Sequence, residues 1–546
     1  MTSQVQLDAG VVTRCRRRVH LENAPEMRDA VKAPPDPAGE QRKADAAQHR
    51  RNVADALARI VGSNLMEIPT GPDVRSSDRE RVTLAAMEMG APYIWGAVFP
   101  RDTLGGRRGG IDLLVKDSTG YVPVLVVRHK ITDPGQGART SPLNVPLPHS
   151  SRVDPIRKVR PQPRDQLRLA HAQRQLQAAG YAVNGRATGG VIGMDADVVV
   201  WHDLEAPTWP GGRTALGEYD ARFSDRLLVA NAAANQRDPM AKPSRIVDCK
   251  SCPWWPICEA ELRRTRDVSL VVRGEDAAAL RKSGLSTVDD LAELDPNNDH
   301  VPLVGMPVSD AVTLAKAWLR DLTLVRRNES MVVPRADVEV DVDMESFADL
   351  GAYMWGCLLS GKDIDEPQGY RAFVTWDPLP CQDEARSFAE FWNWLTGVRL
   401  RAKARGYSFK AYCYNELAEN RWLIASAERF AGMPGIPTKA QIKEFIDSDA
   451  WVDLFGIVRE QFLCAHGKGL KTIAPAAGFT WRDPEAGGEN SMRWYRDAVG
   501  LDGREPLPEQ GERLLIYNED DVRATHRLRE WMGSDAMSTL PFAGDL

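Results

Sequence analysis

The feature that most constrains the fold is a set of four cysteines in the N-terminal half of the chain. The stretch "DCKSCPWWPICEA" spaces three of them as C-x2-C-x5-C, and the fourth stands near the start of the chain. The four are Cys15, Cys249, Cys252 and Cys258. Cysteines at this spacing are typical of a metal site, which would hold the two ends of one domain together. The alternative is three cysteines packed around the tryptophans of the same stretch.

Spacing alone does not identify the metal, because four thiolates suit either zinc or an iron–sulfur cluster. A distant N-terminal cysteine followed by C-x2-C-x5-C resembles the iron–sulfur nucleases of the RecB type, which include the AddB helicase–nuclease subunit and the CRISPR-associated adaptation nucleases. The resemblance implies a 4Fe–4S cluster that locks a restriction-endonuclease-like domain, with zinc as the alternative. It also implies a nucleic-acid substrate and admits a helicase partner.

RecB-type nucleases carry their active site on four elements: a histidine helix, a G-x-x-D strand, an acid-x-Lys strand and a glutamine helix. Here His49 fits the first element, Asp112 in "GGID" fits the second and Gln166 fits the last. In this pattern the aspartate and the acid hold Mg²⁺, and the lysine positions or activates water.

The acid-x-Lys element is altered in this chain. In the strand "VPVLVVRHK", Arg128 takes the place of the acid if Lys130 is the motif lysine, and a register three residues earlier places Leu125 and Val127 there. Neither arginine nor leucine replaces a carboxylate as a Mg²⁺ ligand. We therefore predict that residues 1–265 keep the nuclease fold and contact DNA, with weak or no catalysis.

A basic stretch lies beside this site. Residues 131–164 hold many Pro, Gly and Ser and are predicted to form a long loop. The basic residues of this region are Arg139, Arg152, Arg157, Lys158, Arg160, Arg164, Arg168 and Arg174. A net charge of -6 does not exclude a nucleic-acid binder, because only a local basic surface is needed. The alternative is a solvated polar loop.

The segment 266–330 resembles a helix-hairpin-helix, a unit that binds DNA backbone through hairpin amides. Its two short helices flank a Ser-Gly-Leu turn, and Ser286 or Thr287 is expected to cap the second. Only Gly274 remains of the usual Gly-x-Gly hairpin, and Glu275 and Asp276 follow it. Two acids where phosphate would sit oppose tight binding, so a connecting helical module is predicted.

The stretch "VEVDVDMESF" predicts a β-strand that ends in Asp343-x-Glu345. Residues two apart on a strand point the same way, so both carboxylates face one side, as a shared metal requires. Glu339 and Asp341 share that parity. The alternative is therefore an exposed edge of alternating acids.

Near the C-terminus, "LLIYNEDDVRATHRLREWM" is interpreted as a short apolar run followed by an amphipathic helix. Tyr517 and Asp521 stand where the two meet, with Glu519 and Asp520 between them. One explanation is capping, because acids in a first helical turn offset the positive end of the helix dipole. The other is a metal site.

This pair of motifs resembles the pattern of the DEDD-type 3′–5′ exonucleases, which have a ribonuclease H-like fold. In that pattern D-x-E ends the first strand and Y-x-x-x-D lies on the last helix. The resemblance implies that four carboxylates hold two Mg²⁺ or Mn²⁺ ions about 4 Å apart, while Tyr517 orients the attacking water. Members of this family carry one more acidic ligand, usually an Asp near the start of a helix. The stretch "AYCYNELAENRWLIA" contains no Asp. Glu419 is our choice for that ligand and Asp453 is the runner-up, whereas Glu416 is interpreted as a helix-starting acid.

Taken together, the motifs predict an α/β protein that resembles a bacterial family of RecB-like nucleases, of the type first noted in a Thermotoga genome. The expected domains are a RecB-like nuclease domain (1–265), a connecting module (266–330) and an RNase H-like DEDD exonuclease domain (331–546). The leading hypothesis is a 3′–5′ DNA exonuclease in repair or processing. The alternative is a nuclease-derived scaffold that binds nucleic acid without cutting it, and an RNA substrate stays open.

Membrane insertion is not expected, because the sequence contains no run of 18 or more apolar residues. The N-terminal stretch "MTSQVQLDAGVVTRCRRRVH" contains no apolar h-region of a signal peptide. A cytoplasmic location is therefore predicted.

Overall fold

The computed structural model describes residues 5–297 and 300–546. The chain divides into two compact units. One comprises Met1–Pro243 and Asp248–Glu259, and the other comprises Ser244–Val247 and Ala260–Leu546. The predicted connecting module lies within the second unit.

The first unit is built on a mixed eight-stranded sheet in the order β1-β2-β3-β4-β9-β10-β6-β7. Its strands are β1 (Leu65–Glu67), β2 (Tyr93–Val98), β3 (Gly110–Asp117), β4 (Gly120–Val126), β6 (Arg139–Pro142), β7 (Arg152–Val153), β9 (Thr188–Ile192) and β10 (Val198–Asp203). A separate ribbon pairs β5 (Thr132–Pro134) with β8 (Arg157–Val159). The helices are α1 (Arg16–Asn23), α2 (Pro37–Val61), α3 (Ser76–Glu88), α4 (Pro163–Ala179), α5 (Ala215–Ala234) and α6 (Trp255–Thr265), which ends in the second unit.

This sheet is buried on both faces. Ile111 and Leu114 of β3 pack into one hydrophobic cluster, while Leu113 and Val115 pack into another. Every residue of β4 is buried. The sequence of residues 109–130 predicts two strands joined at residues 118–120, and Gly180 predicts the end of a helix. Both are confirmed, by β3 and β4 and by the end of α4, where Gly180 adopts φ 78°.

Two local predictions in this unit are wrong. Residues 21–48 are rich in Pro, Ala and charge, a composition that predicts a surface loop, but α2 begins at Pro37 and continues to Val61. Proline is tolerated in a first helical turn, and the alanines and charged residues that follow are good helix formers. Residues 131–164 were expected in one long loop, but they contain four short strands, β5 to β8. Strands of two to four residues are too short to show an alternating pattern.

The second unit carries a five-stranded sheet in the order β14-β13-β12-β15-β16. Its strands are β12 (Val338–Phe347), β13 (Gly351–Gly361), β14 (Gly369–Val374), β15 (Phe409–Cys413) and β16 (Trp451–Asp453), and β11 (Leu324–Arg326) pairs separately with β17 (Phe462–Cys464). The helices are α7 (Gly274–Lys282), α8 (Val288–Ala292), α9 (Val308–Leu319), α10 (Asp383–Ala404), α11 (Leu417–Arg429), α12 (Lys439–Ile446), α13 (Leu454–Gln461), α14 (Leu470–Ile473), α15 (Gly488–Ala498) and α16 (Pro508–Met532).

The predicted short helices of the connecting segment are present as α7 and α8. Thr287 caps α8 in a capping box with Asp290. The Asp276 carboxylate accepts hydrogen bonds from the backbone N–H groups of Val304 and Gly305, both at 2.8 Å. This acid therefore fastens a loop of its own chain at the place where a DNA-binding hairpin would receive phosphate.

The strand β12 lies in the middle of its sheet, antiparallel to β13 and parallel to β15. Its apolar side chains, from Val338 to Met344, pack in one hydrophobic core together with α10 residues such as Phe388. The opposite face carries the alternating acids, of which Glu339, Asp341 and Glu345 are buried. The interpretation of this strand as an exposed edge is therefore wrong.

The last helix differs from its prediction. The apolar run at residues 514–516 belongs to α16, which begins at Pro508 and continues to Met532. Tyr517 and Asp521 consequently lie in the middle of a helix. Helix-dipole capping is excluded as their role, because that effect is confined to the first turn. A short apolar run is compatible with strand or helix, which explains the error.

Among the described residues, no helix is long and apolar enough to cross a membrane.

Candidate metal centre

Three carboxylates meet between β12 and α16. Asp343 and Glu345 come from the same face of β12, and Asp521 comes from α16. One oxygen of each lies within 4.8 Å of the other two. Within residues 5–297 and 300–546, no other group of three His, Cys, Asp or Glu side chains meets this criterion. The three residues that the sequence spacing predicted therefore lie together in the structure.

The other two acids on this face of β12 are neutralised. The buried Arg529 guanidinium of α16 hydrogen-bonds to Asp341 at 2.8 and 3.1 Å and forms an ion pair with Glu339. Arg335 also pairs with Glu339, at 2.8 Å, and His526 Nδ1 lies 3.1 Å from Asp341. Two of the four acids on this face of β12 are thus neutralised by cationic side chains of the protein.

The three clustered carboxylates have no such direct ion pair. In the described parts of the chain, no Lys, Arg or His nitrogen lies within 4 Å of Asp343, Glu345 or Asp521 oxygens. Burial, followed by the charges of its neighbours, raises the pKa of Asp343 well above its usual range and that of Glu345 to about 8. Burial also raises the pKa of Asp521. A bound divalent cation would offset the repulsion between these buried negative charges.

Hydrogen bonds from neutral groups orient two of these carboxylates. Asn518 Nδ2 donates to Asp343 at 2.7 Å, and the Tyr370 hydroxyl donates to Asn518 Oδ1 at 2.8 Å. Trp481 Nε1 donates to Asp521 at 2.6 Å. Gly356 makes room for the first link, because a Cβ there would lie 1.7 Å from Asn518 Oδ1. Sequence reasoning missed these supporting residues, although Asn518 stands inside the "YNEDD" stretch.

Tyr517 lies beside the carboxylates, as predicted. Its side chain is buried, and Lys471 Nζ donates to its hydroxyl at 3.0 Å. Burial, with the charges of Glu345 and Asp521, raises the pKa of Tyr517 far above its ordinary value. The phenol therefore keeps its proton and can act as a hydrogen-bond donor. The positive charge of Lys471 lowers the pKa of all three clustered carboxylates.

Of the two candidates for a further ligand, Glu419 fits better. Its side chain is buried in the first turn of α11, and burial raises its pKa to about 8. No described residue hydrogen-bonds to its Oε2 atom. Its charge acts on Asp343, although it lies outside the three-carboxylate group. Asp453 instead caps α13, accepting hydrogen bonds from Phe455 N and Asn415 N at 2.9 Å each.

The acids between Tyr517 and Asp521 are held by arginines. Arg482 hydrogen-bonds to Asp520 at 2.7 Å and to Glu519 at 2.8 Å, and Arg523 also bonds to Glu519. Of the three consecutive acids, only Asp521 faces the cluster without a cation.

The residues of the predicted N-terminal site make contacts within their own unit. Asp112 accepts a hydrogen bond from Val126 N at 2.8 Å and lies 3.8 Å from Arg50, and burial raises its pKa. His49 Nε2 lies 3.1 Å from Gly193 O, and burial lowers its pKa. Gln166 accepts from Trp209 Nε1 at 3.1 Å.

The altered strand of this site presents cations instead of a carboxylate. Arg128 pairs with Asp45 at 3.3 Å, and Lys130 is half-buried just beyond β4. The nearby basic stretch is also partly neutralised, because Arg157 pairs with Asp154 and Asp197. Weak or absent catalysis in residues 1–265 stays a prediction.

The four cysteines of the N-terminal half are half-buried and reduced. Cys15 caps α1, accepting from Arg18 N at 3.3 Å. Burial raises the pKa of Cys258 to about 12, and the charges of Cys15, Cys252 and Cys249 add to the effect. The charges of the other three thiols therefore act on Cys258, and a shared four-cysteine site stays a prediction.

One comparison with known proteins gives a match. Residues 425–533 match the family model of the RNase H superfamily, and this segment contains Tyr517 and Asp521. The match supports an RNase H-like domain in the C-terminal part of the chain. Comparison with curated proteins gives no match, and neither does comparison with solved structures. The RecB-like assignment of residues 1–265 stays a prediction from its motifs.

Proposed function

We propose that this protein is a nuclease that hydrolyses phosphodiester bonds with divalent metal ions at its RNase H-like domain. The observation that carries the proposal is the meeting of Asp343, Glu345 and Asp521, none of which is directly paired with a cation of the described chain. Hard oxygen ligands of this kind suit Mg²⁺ or Mn²⁺. An RNase H-like fold with such a cluster supports hydrolysis of a nucleic-acid backbone over other uses of buried acids.

The residues present fit the metal on a second ground. Glu419 Oε2 is buried, and no described group hydrogen-bonds to it, which is costly unless an ion or water supplies a partner. In our proposal Asp343, Glu345, Glu419 and Asp521 hold the ions, which supply Lewis-acid stabilisation of the charge on phosphate. Tyr517 donates its phenol hydrogen bond to the attacking water, while Asn518 and Trp481 fix the ligand carboxylates.

The finer assignment is a 3′–5′ exonuclease that acts on DNA in repair or processing, with a helicase as a partner class. It rests on the D-x-E and Y-x-x-x-D pattern, whose residues converge here. The rival function is a scaffold that binds nucleic acid without cutting it. The pairing of Asp112 with Arg50 favours that role for the N-terminal unit alone.

Cleavage assays test the proposal directly. End-labelled single- and double-stranded DNA and RNA are incubated with the protein in Mg²⁺ and in Mn²⁺, beside Asp343→Asn and Asp521→Asn. The matched control is Glu519→Gln, because Glu519 lies on the same helix but pairs with Arg482 and Arg523. We expect metal-dependent cleavage that both Asn variants lose and the control keeps. Cleavage that survives in both Asn variants would place the active site elsewhere.

We further propose that the four cysteines hold a 4Fe–4S cluster, with zinc as the alternative. A single tetrahedral zinc ion brings its thiolates to about 3.8 Å from one another, from a Zn–S distance of about 2.3 Å. Yet no three of these described sulfurs lie within 4.8 Å of one another. Purified protein should be brown, absorb near 400 nm and contain iron. A colourless protein with one equivalent of zinc would reverse the choice.

A further inference from the structure

The segment that follows α14 covers one side of the carboxylate group and carries a cation and two aromatic rings. Lys471 lies on α14, and Phe479 and Trp481 lie just after it. Trp481 is tied to the metal centre by its hydrogen bond to Asp521. The segment therefore has a fixed place beside the atoms that would bind metal.

Lys471 is an exposed residue whose ammonium reaches inward. Its Nζ donates to the Tyr517 hydroxyl at 3.0 Å and stands 4.4 Å from the centre of that ring. No carboxylate of the described chain lies within 4 Å of this nitrogen. An ammonium has three donors, and the tyrosine takes one of them. A charge held this close to clustered acids, yet paired with none, is suited to an anionic group of the substrate.

The two aromatic rings lie beside this cation. Phe479 and Trp481 pack edge to face with ring centres 5.0 Å apart, and Lys471 Nζ is 5.7 Å from the Trp481 ring. Both rings are only partly buried. Partly accessible aromatic rings next to a cation are a combination with which proteins bind single-stranded nucleic acid, because unpaired bases stack on the rings while the cation contacts phosphate.

We propose that Lys471, Phe479 and Trp481 form a subsite for one unpaired nucleotide, with its phosphate on Lys471 and its base against the ring pair. This inference rests on the proposed function and deepens it, because it names single-stranded nucleic acid as the substrate class. A base inside a duplex keeps its faces stacked on neighbouring bases, so paired substrates cannot use this subsite.

Binding without cleavage tests the subsite separately from hydrolysis. The probe is a fluorescein-labelled oligothymidylate bound to the full-length protein in Ca²⁺, with product analysis to confirm that it stays intact. Lys471→Met should weaken binding and reduce the slope of log affinity against log salt by about 0.7, the value for one phosphate contact on a single strand. Lys471→Arg should restore the slope. The matched control is Lys468→Met, which removes a charge three residues away and should leave the slope unchanged.

The ring pair is tested with Phe479→Ala, because Phe479 makes no hydrogen bond to a carboxylate ligand. Loss of one stacked base should weaken single-strand binding by about fivefold or more. Binding of a blunt duplex of equal length should not change. An unchanged slope in Lys471→Met, or equal losses on single strand and duplex in Phe479→Ala, would overturn the subsite.

The two proposals fail in different ways. If no metal supports cleavage but the Lys471 and Phe479 effects on binding appear, the subsite stands and the hydrolytic function falls. If cleavage is lost in Asp343→Asn while neither Lys471 nor Phe479 affects binding, the hydrolytic function stands and the subsite falls.

Discussion

Glu419 offers the sharpest test of the metal centre, because its buried carboxyl should destabilise the metal-free protein and bound metal should offset that cost. The pKa of this carboxyl rises from an ordinary 4.5 to about 8 on folding. Below pH 4.5 both the folded and unfolded chains hold the proton, and burial costs nothing through ionisation. Between pH 4.5 and 8 only the unfolded chain releases it, so the free energy of unfolding falls as pH rises.

The magnitude follows from these two pKa values. Each pH unit in that interval is worth about 1.4 kcal/mol, which gives about 4 kcal/mol at pH 7.5. Replacing Glu419 by Gln removes the ionisable group and keeps its size. We therefore expect Glu419→Gln to stabilise the metal-free protein by about 2–4 kcal/mol at pH 7.5, since the buried amide keeps part of its own desolvation cost.

Bound metal should narrow this difference in stability. An ion at 100 times its dissociation constant stabilises the wild-type protein by about 2.7 kcal/mol. Glu419→Gln loses a charged ligand and should gain much less. The assay is chemical unfolding at pH 5, 6, 7 and 8, first in EDTA and then with Mn²⁺.

The matched control is Glu416→Gln, a half-buried acid three residues earlier, which should change stability by less than about 0.5 kcal/mol. The reasoning about burial fails if Glu419→Gln is less stable than wild type in EDTA, or if its advantage does not grow from pH 5 to pH 8. The ligand assignment fails if Mn²⁺ stabilises the variant and the wild-type protein equally.

Three further predictions concern the groups around the centre. Although burial acts to raise it, Arg335 and Arg529 lower the pKa of Glu339 to about 2, so Glu339→Gln should cost about 3 kcal/mol at pH 7. This loss should shrink to about half by pH 3 in urea unfolding, since the stabilisation disappears as pH falls from 4.5 through 2. Asn518→Ala should weaken Mn²⁺ binding by about 10–100-fold in calorimetry, with little change in fold by circular dichroism. Gly356→Ala should do the same by displacing Asn518, and an unchanged Mn²⁺ affinity in both variants would remove the orienting role of Asn518.

The sequence was sufficient to predict those parts of the site that depend on local spacing. Residues two apart on a strand share a face, so Asp343 and Glu345 were predictable as a pair. The Tyr517 and Asp521 spacing identified the helix that completes the group. The start of that helix was not predictable from the apolar run, because such a run suits strand and helix alike.

The supporting residues were not predictable, because they reach the site from separate elements. Tyr370 comes from β14, Lys471 from α14 and Trp481 from the segment after it. No short motif joins them, and their roles depend on contacts that only the tertiary structure defines. The length of α2 was missed for a related reason, because Pro37 marks a helix start as readily as a loop.

Strand parity alone also could not separate metal ligands from structural acids on β12, since four acids share one face. The separation depends on Arg529, which lies two helical turns beyond Asp521 on α16. One helix thus supplies a cation to the first two acids of the strand and a further carboxylate to the last two. Neutralising the first pair keeps the strand buried, while adding charge to the second pair creates the carboxylate group that we propose holds metal. The same helix–strand contact therefore contributes both to the stability of this half and to the site at which we propose that metal binds.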